Sequence, residues 1–249
     1  MPNKQTKKNN EKFFFNCYSL SEIPELPYEN IYFHPYNIPD IIQYPYEIFI
    51  KDIIKAEKYN PNLFVPKIQV YIESLCPDCI DFITKSFNDF YKKVKKPNLA
   101  EIEFIPFGNA KEVYNTSMGK YDFICQHGDN ECYGNLIETC AIQVLGRVRS
   151  YSTIICMESY IEKFDKNFDA TIEFCLSDDK TSLKEIKECV ISDMGNIYEH
   201  QMAQKTDINH KWVPWIVVDG YHDVDIENEI IDILIDFICG DDKTKCYGN

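Results

Sequence analysis

Apolar and polar positions divide part of this chain into clear elements. The run Ile68-Gln69-Val70-Tyr71-Ile72 is too short for a helix and rich in β-branched and aromatic residues, which predicts a buried strand. Past it, Ile80, Ile83, Phe87, Phe90 and Val94 recur at the three-and-four spacing of one helical face, predicting a helix over 80–95. Glu101-Ile102-Glu103-Phe104-Ile105 alternates as a strand does, and Pro106-Phe107-Gly108-Asn109 closes it as a turn. Together these predict a βαβ unit with parallel strands and a right-handed crossover. From about 130 to 207 the spacing is helical with no convincing strand, and Ser182-Leu183-Lys184-Glu185 has the capping-box pattern that opens a helix. Strand character returns at Trp212-Val213-Pro214-Trp215-Ile216-Val217-Val218. An Asp219-Gly220 turn follows, then a helix with Ile226, Ile230, Ile233 and Phe237 on one side, running to Cys239.

The N-terminal quarter has no such pattern. Residues 1–12 are polar and Lys-rich and are expected to be disordered. Residues 13–65 are dense in aromatics and proline (Tyr32, Phe33, Pro35, Tyr36, Pro39, Tyr44, Pro45, Tyr46). Proline at that frequency discourages long regular elements, and so many aromatics do not suit a solvated linker, so an extended arm packed on the domain is expected.

Chemistry enters at Cys76-Pro77-Asp78-Cys79, where the first strand hands over to the helix. Backbone N–H groups at a helix start have no partner within the helix, and the aligned peptide dipoles favour negative charge there, so a Cys76 thiolate is stabilised. Pro77 suits a first helical position. Cys79, one turn on, is placed to resolve a mixed disulfide, whereas the Asp78 carboxylate opposes the thiolate. With this pair in place, the order β-α-β, helical insertion, β-turn-α is that of an α/β, thioredoxin-like domain with an inserted helical subdomain. Pro214, awkward at the head of a buried strand, then acquires a role. In thioredoxin-like folds a cis-proline at this point lies against the Cys-x-x-Cys, so Val213 and Pro214 are expected to support the active site and bind substrate.

Composition narrows the function. A net charge of −14 over 249 residues argues against nucleic-acid binding, which needs Lys and Arg to displace counterions. No run approaches the ~18 apolar residues of a membrane span. Beyond the Cys-x-x-Cys there are nine further cysteines, a usage that points to structural disulfides and an oxidising compartment. With Cys17 set aside in the N-terminal extension, Cys125, Cys132, Cys140, Cys156, Cys175, Cys189, Cys239 and Cys246 are enough for four bridges. Spacing does not choose among the roughly 105 arrangements. The start of the chain conflicts with that compartment: Met1–Glu11 is polar, Phe13-Phe14-Phe15 falls far short of a signal-peptide core, and no signal peptide is visible. A removed signal, a start that is not the mature one, and cytosolic residence are the three readings.

The stretch Cys125-Gln126-His127-Gly128-Asp129-Asn130-Glu131-Cys132, followed by Asn135 and Cys140, resembles the Cys-Gln-His-Gly-x-x-Glu-Cys-x-x-Asn signature of the gamma-interferon-inducible lysosomal thiol reductase family. Pro106-Phe107-Gly108-Asn109-Ala110, Ile155-Cys156-Met157-Glu158 and Val213-Pro214-Trp215 are similar to further family segments, and the resemblance covers about residues 66–246. It implies a disulfide reductase of protein substrates on the secretory route, lysosomal or extracellular, active at acid pH. Cys76 and Cys79 would be its redox pair, a low-molecular-weight thiol its reductant, and no metal or cofactor is implied. The sequon Asn115-Thr116-Ser117 falls where family members are glycosylated. The arm 1–65 and Cys17 depart from the family pattern; Cys17 could link two chains as a homodimer, pair transiently or stay free.

Other readings stand beside this one. His127 lies between two expected disulfide cysteines, which favours a structural hydrogen-bonding role over catalysis. A zinc site of Cys76, Cys79, Cys125 and His127 fits by ligand type, but the strand-to-helix setting does not suit it. The same Cys pair would serve an oxidase or isomerase, and the domain would also serve as a scaffold for a binding protein that needs no redox turnover.

Overall fold

The computed structural model describes residues 67–93 and 101–239. The expectations for the segments 1–12 and 13–65, for Cys17 and for Cys246 lie outside the described residues, as does that for the Cys239 side chain.

β1 (Lys67–Ile72) forms the centre of a three-stranded sheet, between β2 (Glu101–Pro106) and β5 (Trp215–Val218). The β1–β2 pair is parallel, with Ile68 opposite Ile102 and Ile72 opposite Pro106. The β1–β5 pair is antiparallel, with Val70 opposite Ile216. Ile68, Val70, Tyr71 and Ile72 are all buried, as a strand covered on both faces requires. The predicted βαβ unit is therefore present. Its helix runs as α1 (Pro77–Asp81), a π-helical stretch (Phe82–Phe87) and α2 (Asn88–Lys93). Ile83, Phe87 and Phe90 point into the core, and Phe87 packs edge-on against Phe104 and Tyr151, with ring centroids 4.8 and 5.3 Å away. Burying each such ring contributes roughly 1.5–3 kcal/mol.

An antiparallel hairpin, β3 (Lys111–Asn115) and β4 (Lys120–Ile124), follows β2. Five helices come next: α3 (Asp129–Leu145), α4 (Arg147–Tyr160), α5 (Phe168–Cys175), α6 (Lys180–Val190) and α7 (Asp193–Lys205). Tyr151 on α4 joins this layer to the sheet by donating its hydroxyl to the Ile102 carbonyl. A second apolar cluster, including Ile137, Met157, Phe168, Ile172 and Ile186, lies among the helices. Two disulfides staple it: Cys140–Cys189 joins α3 to α6, and Cys156–Cys175 joins α4 to α5. For loops of 49 and 19 residues, closing the chain in the unfolded state is worth about 4 and about 3 kcal/mol.

Two expectations need correction. Ser182 does not cap α6: Asp179 does, its carboxylate accepting from the Ser182 N–H at 3.1 Å, so Ser182 lies in the first turn, buried, and cannot start it. The last strand begins at Trp215 and not at Trp212, because Pro214 has no N–H to give to the ladder. The final helix, α8 (Val224–Cys239), runs to Cys239 as expected. No helix among the described residues is long and apolar enough to cross a membrane.

Candidate active site

Ile72 ends β1, and only Glu73, Ser74 and Leu75 separate it from Cys76, which caps α1 with an extended backbone (φ −75, ψ 121). Leu75 has φ +86, a left-handed conformation that costs a branched residue on the order of 1–3 kcal/mol. Neighbouring contacts hold it. The Ser74 N–H donates to Asn135 Oδ1 at 2.8 Å, and its hydroxyl donates to the Glu131 carbonyl at 3.0 Å. The first turns of α3 thereby grip the loop that carries the dithiol.

Cys76 and Cys79 are unbridged and buried, Cys79 completely. The Cys76 thiol lies 3.8 Å from the Val213 carbonyl, next to the cis Val213–Pro214 bond. Its pKa is lowered to about 6, first by the Cys79 thiol, which donates a hydrogen bond to the thiolate, and also by the free N–H groups of Cys79 and Asp78. Burial and the Asp78 carboxylate work in the opposite direction. Cys79 is held well above the ordinary thiol range by burial and by its hydrogen bond to Cys76, although the Glu73 N–H points at its sulfur from 3.5 Å. The two thiols thus differ sharply: one is ionised near neutrality, the other keeps its proton.

Behind the pair sits a residue that the sequence did not single out. Glu73 is fully buried, and burial raises its pKa to about 7 against the pull of the Asn109 N–H, which donates to Oε1. Gly108, at φ +52, lets the chain come this close, since a Cβ there would stand 2.2 Å from Glu73 Cγ. Asn109 Oδ1 in turn lies 3.0 Å from His210 Nε2. His127 packs on Glu131, which receives the His127 N–H at 3.1 Å and contacts its ring Nδ1. Further acids, Glu138, Glu158 and Glu199, are buried in the helical layer. Burial pushes Glu158 to about 7 and Glu199 to about 8, and lifts Glu138 as well. Of these only Glu158 stood in a segment that the sequence singled out; nothing separated Glu138 and Glu199 from ordinary solvated helix positions.

The structure brings Cys76, Cys79, Val213 and Pro214 together, with Pro77 and Asp78 exposed on the rim. Cys125 and Cys132 are joined in a bridge, so Cys125 is not a thiolate ligand and the four-residue zinc alternative fails. Asn115 stands on the hairpin, away from the dithiol in sequence, with its side chain bonded to Asp122 and to the Ser117 N–H.

A buried, asymmetric dithiol at a strand-to-helix junction, in a disulfide-rich α/β domain, has the form of a thiol-exchange site. Comparison with known proteins agrees. The family model for gamma interferon inducible lysosomal thiol reductase matches residues 67–179. The chain is 35% identical over 175 residues to the gamma-interferon-inducible lysosomal thiol reductase of Carassius auratus, covering 69% of this chain and 66% of that protein. It is 31% identical over 156 residues to the mouse protein of the same name, covering 61% and 60%. Similarity also extends to a gamma-interferon-responsive lysosomal thiol protein of Arabidopsis thaliana, 30% identical over 72% of both chains. The chain belongs to the gamma-interferon-inducible lysosomal thiol reductase family. Its matches span about two thirds of the goldfish relative's length and less of the mouse one.

Proposed function

We propose that this chain is a thiol–disulfide oxidoreductase that reduces disulfides of protein substrates in an acidic compartment of the secretory route, and that residues 66–246 form a thioredoxin-like domain in which the helices of about 130–207 are an insertion. The observation that carries the reading is the unbridged Cys76–Cys79 pair at the start of α1, with the Cys76 sulfur 3.8 Å from the Val213 carbonyl and Cys79 fully buried behind it; the opposed shifts of the two thiols, Cys76 down and Cys79 up, support it. The Cys76 thiolate attacks one sulfur of a substrate disulfide. That S–S bond breaks, its electron pair leaves with the other substrate sulfur, which takes a proton, and a Cys76–substrate disulfide forms. Cys79 then loses its proton and attacks the Cys76 sulfur. The second substrate thiol departs, and Cys76–Cys79 is left oxidised by two electrons. Two equivalents of a low-molecular-weight thiol then restore the dithiol and leave as their own disulfide. Val213 and Pro214 border the Cys76 sulfur, where an extended substrate chain would lie.

The proposal is tested by trapping. Cys79→Ser, incubated with a disulfide-containing denatured protein, should accumulate a mixed disulfide on Cys76, seen as a reducible adduct in mass spectra. Accumulation on another cysteine, or none at all in folded protein, would refute the assignment of roles.

A further inference from the structure

Glu73, His127 and Glu131 each offer one ligand atom, and the three atoms lie within 4.8 Å of one another. Glu73 comes directly after β1, His127 from the Cys125–Cys132 loop and Glu131 from the first turn of α3. Glu73 Oε2 is 3.9 Å from His127 Nδ1, and Glu131 Oε2 contacts that same nitrogen. Both carboxylate side chains are fully buried, whereas the imidazole is 38% exposed and gives the cluster an opening to solvent.

One of these oxygens and one more lack a partner. Glu73 Oε2 and Glu131 Oε1 are buried and have no hydrogen-bond partner. A buried carboxylate oxygen in that condition is costly unless the acid is protonated or a cation compensates it. The groups are also held in position before any ion arrives: Glu73 Oε1 by the Asn109 N–H, the Glu131 carbonyl by the Ser74 hydroxyl, and the His127 N–H by Glu131 Oε2. Two carboxyl groups and an imidazole are donors of the kind that hold a divalent cation.

We propose that Glu73, His127 and Glu131 form a binding site for a borderline divalent cation of the zinc class, beside the dithiol and distinct from it. Donor chemistry selects the ion. Calcium and magnesium take oxygen ligands, whereas a nitrogen with carboxylate oxygens suits zinc and its first-row neighbours. Bonds of about 2.0–2.2 Å put neighbouring ligand atoms roughly 3–4 Å apart, which the Glu73–His127 spacing meets, whereas Glu131 Oε2 and His127 Nδ1 are in direct contact and would part to admit the ion. Three protein ligands leave a fourth position for water. A cation there would tie the end of β1 to the Cys125–Cys132 loop, one residue before the Ser74 contacts that hold the dithiol loop.

The test uses the full chain carrying Cys76→Ser and Cys79→Ser, titrated with Co²⁺ alone and then with Zn²⁺ as competitor. One equivalent of Co²⁺ should give weak visible ligand-field bands without the strong near-ultraviolet band of thiolate ligation, and Zn²⁺ should erase them. Glu131→Gln and Glu73→Gln should each weaken binding at least about tenfold, since even outer-sphere partners of a metal ligand are worth about 10–100-fold. Glu73→Gln keeps an acceptor for the Asn109 N–H, so it reports on binding even where Glu131→Gln loosens the loop; circular dichroism checks both. Absent bands, a thiolate band, or affinity unchanged by both substitutions overturns the site. Because neither redox thiol is present, the outcome is independent of the reductase reading.

Discussion

Removing the Cys79 sulfur separates the two ways in which this fold ionises Cys76. The Cys79 thiol is the largest influence lowering the Cys76 pKa to about 6; the helix-start N–H groups of Cys79 and Asp78 add to it. A hydrogen bond to a charged group is worth about 1.5–3 kcal/mol, or roughly 1–2 pKa units. In Cys79→Ala the Cys76 pKa should therefore climb to about 7–8. At pH 5.5 the thiolate fraction would drop from roughly one quarter to about 3% or less, about eightfold to eightyfold. Cys79→Ser keeps an O–H donor and should retain most of the depression. The assay is the rate of Cys76 alkylation by iodoacetamide between pH 4.5 and 9, read by peptide mass spectrometry in the reduced protein. Identical profiles for the parent and Cys79→Ala would refute the hydrogen-bond account and leave the helix start as the sole cause.

Two further perturbations probe the support around the site. Gly134→Ala should destabilise the protein by about 1–3 kcal/mol in urea unfolding, although the same change in an ordinary helix interior stabilises by roughly 0.5–1. The new Cβ would stand 2.2 Å from Ser74 Oγ and 2.3 Å from Phe168 Cζ, so a stabilised variant would contradict the packing between α3 and the dithiol loop. The buried acids give the fold an acid preference. Glu199, pushed up to about 8, favours the folded state fully below its unfolded pKa of about 4.3, and this support is lost as pH rises towards 8. In a Cys76→Ser background, which removes the opposing titration of the low-pKa thiol, the Tm should fall between pH 5 and pH 8. Glu199→Gln, which keeps an acceptor for Thr139 at a bond now 2.7 Å long, should flatten that fall. An equally steep fall in the variant would show that Glu199 does not carry it.

What the sequence made legible follows the physics of burial. β1, β2 and the helix after them were readable because their apolar positions face a core on a fixed period. The β3–β4 hairpin was not: Val113 and Tyr114 are both more than half exposed, so no buried face imposes alternation. The cap of α6 was misplaced because Asp179 and Ser182 are both competent caps three residues apart, and only packing shows which one opens the helix. The Cys pair and Pro214 were legible from residue type and order, while the partners within three bridges are set by packing that spacing does not encode. Glu73 carried no signal at all. A lone acid after an apolar strand looks solvated until Gly108 and Asn109 are seen to close over it.

The most direct test of the central claim is the initial rate at which the reduced protein cleaves a disulfide-linked fluorescent reporter, measured from about pH 4 to 8 beside Cys76→Ser. With a nucleophile pKa of about 6, the parent should retain roughly a tenth of its full thiolate at pH 5, about 300-fold more than a thiol of ordinary pKa ~8.5 would, and Cys76→Ser should be inactive throughout. A rate that collapses below pH 7 as an ordinary thiol's does would contradict the tuning of Cys76. Equal rates for parent and Cys76→Ser would contradict the enzyme.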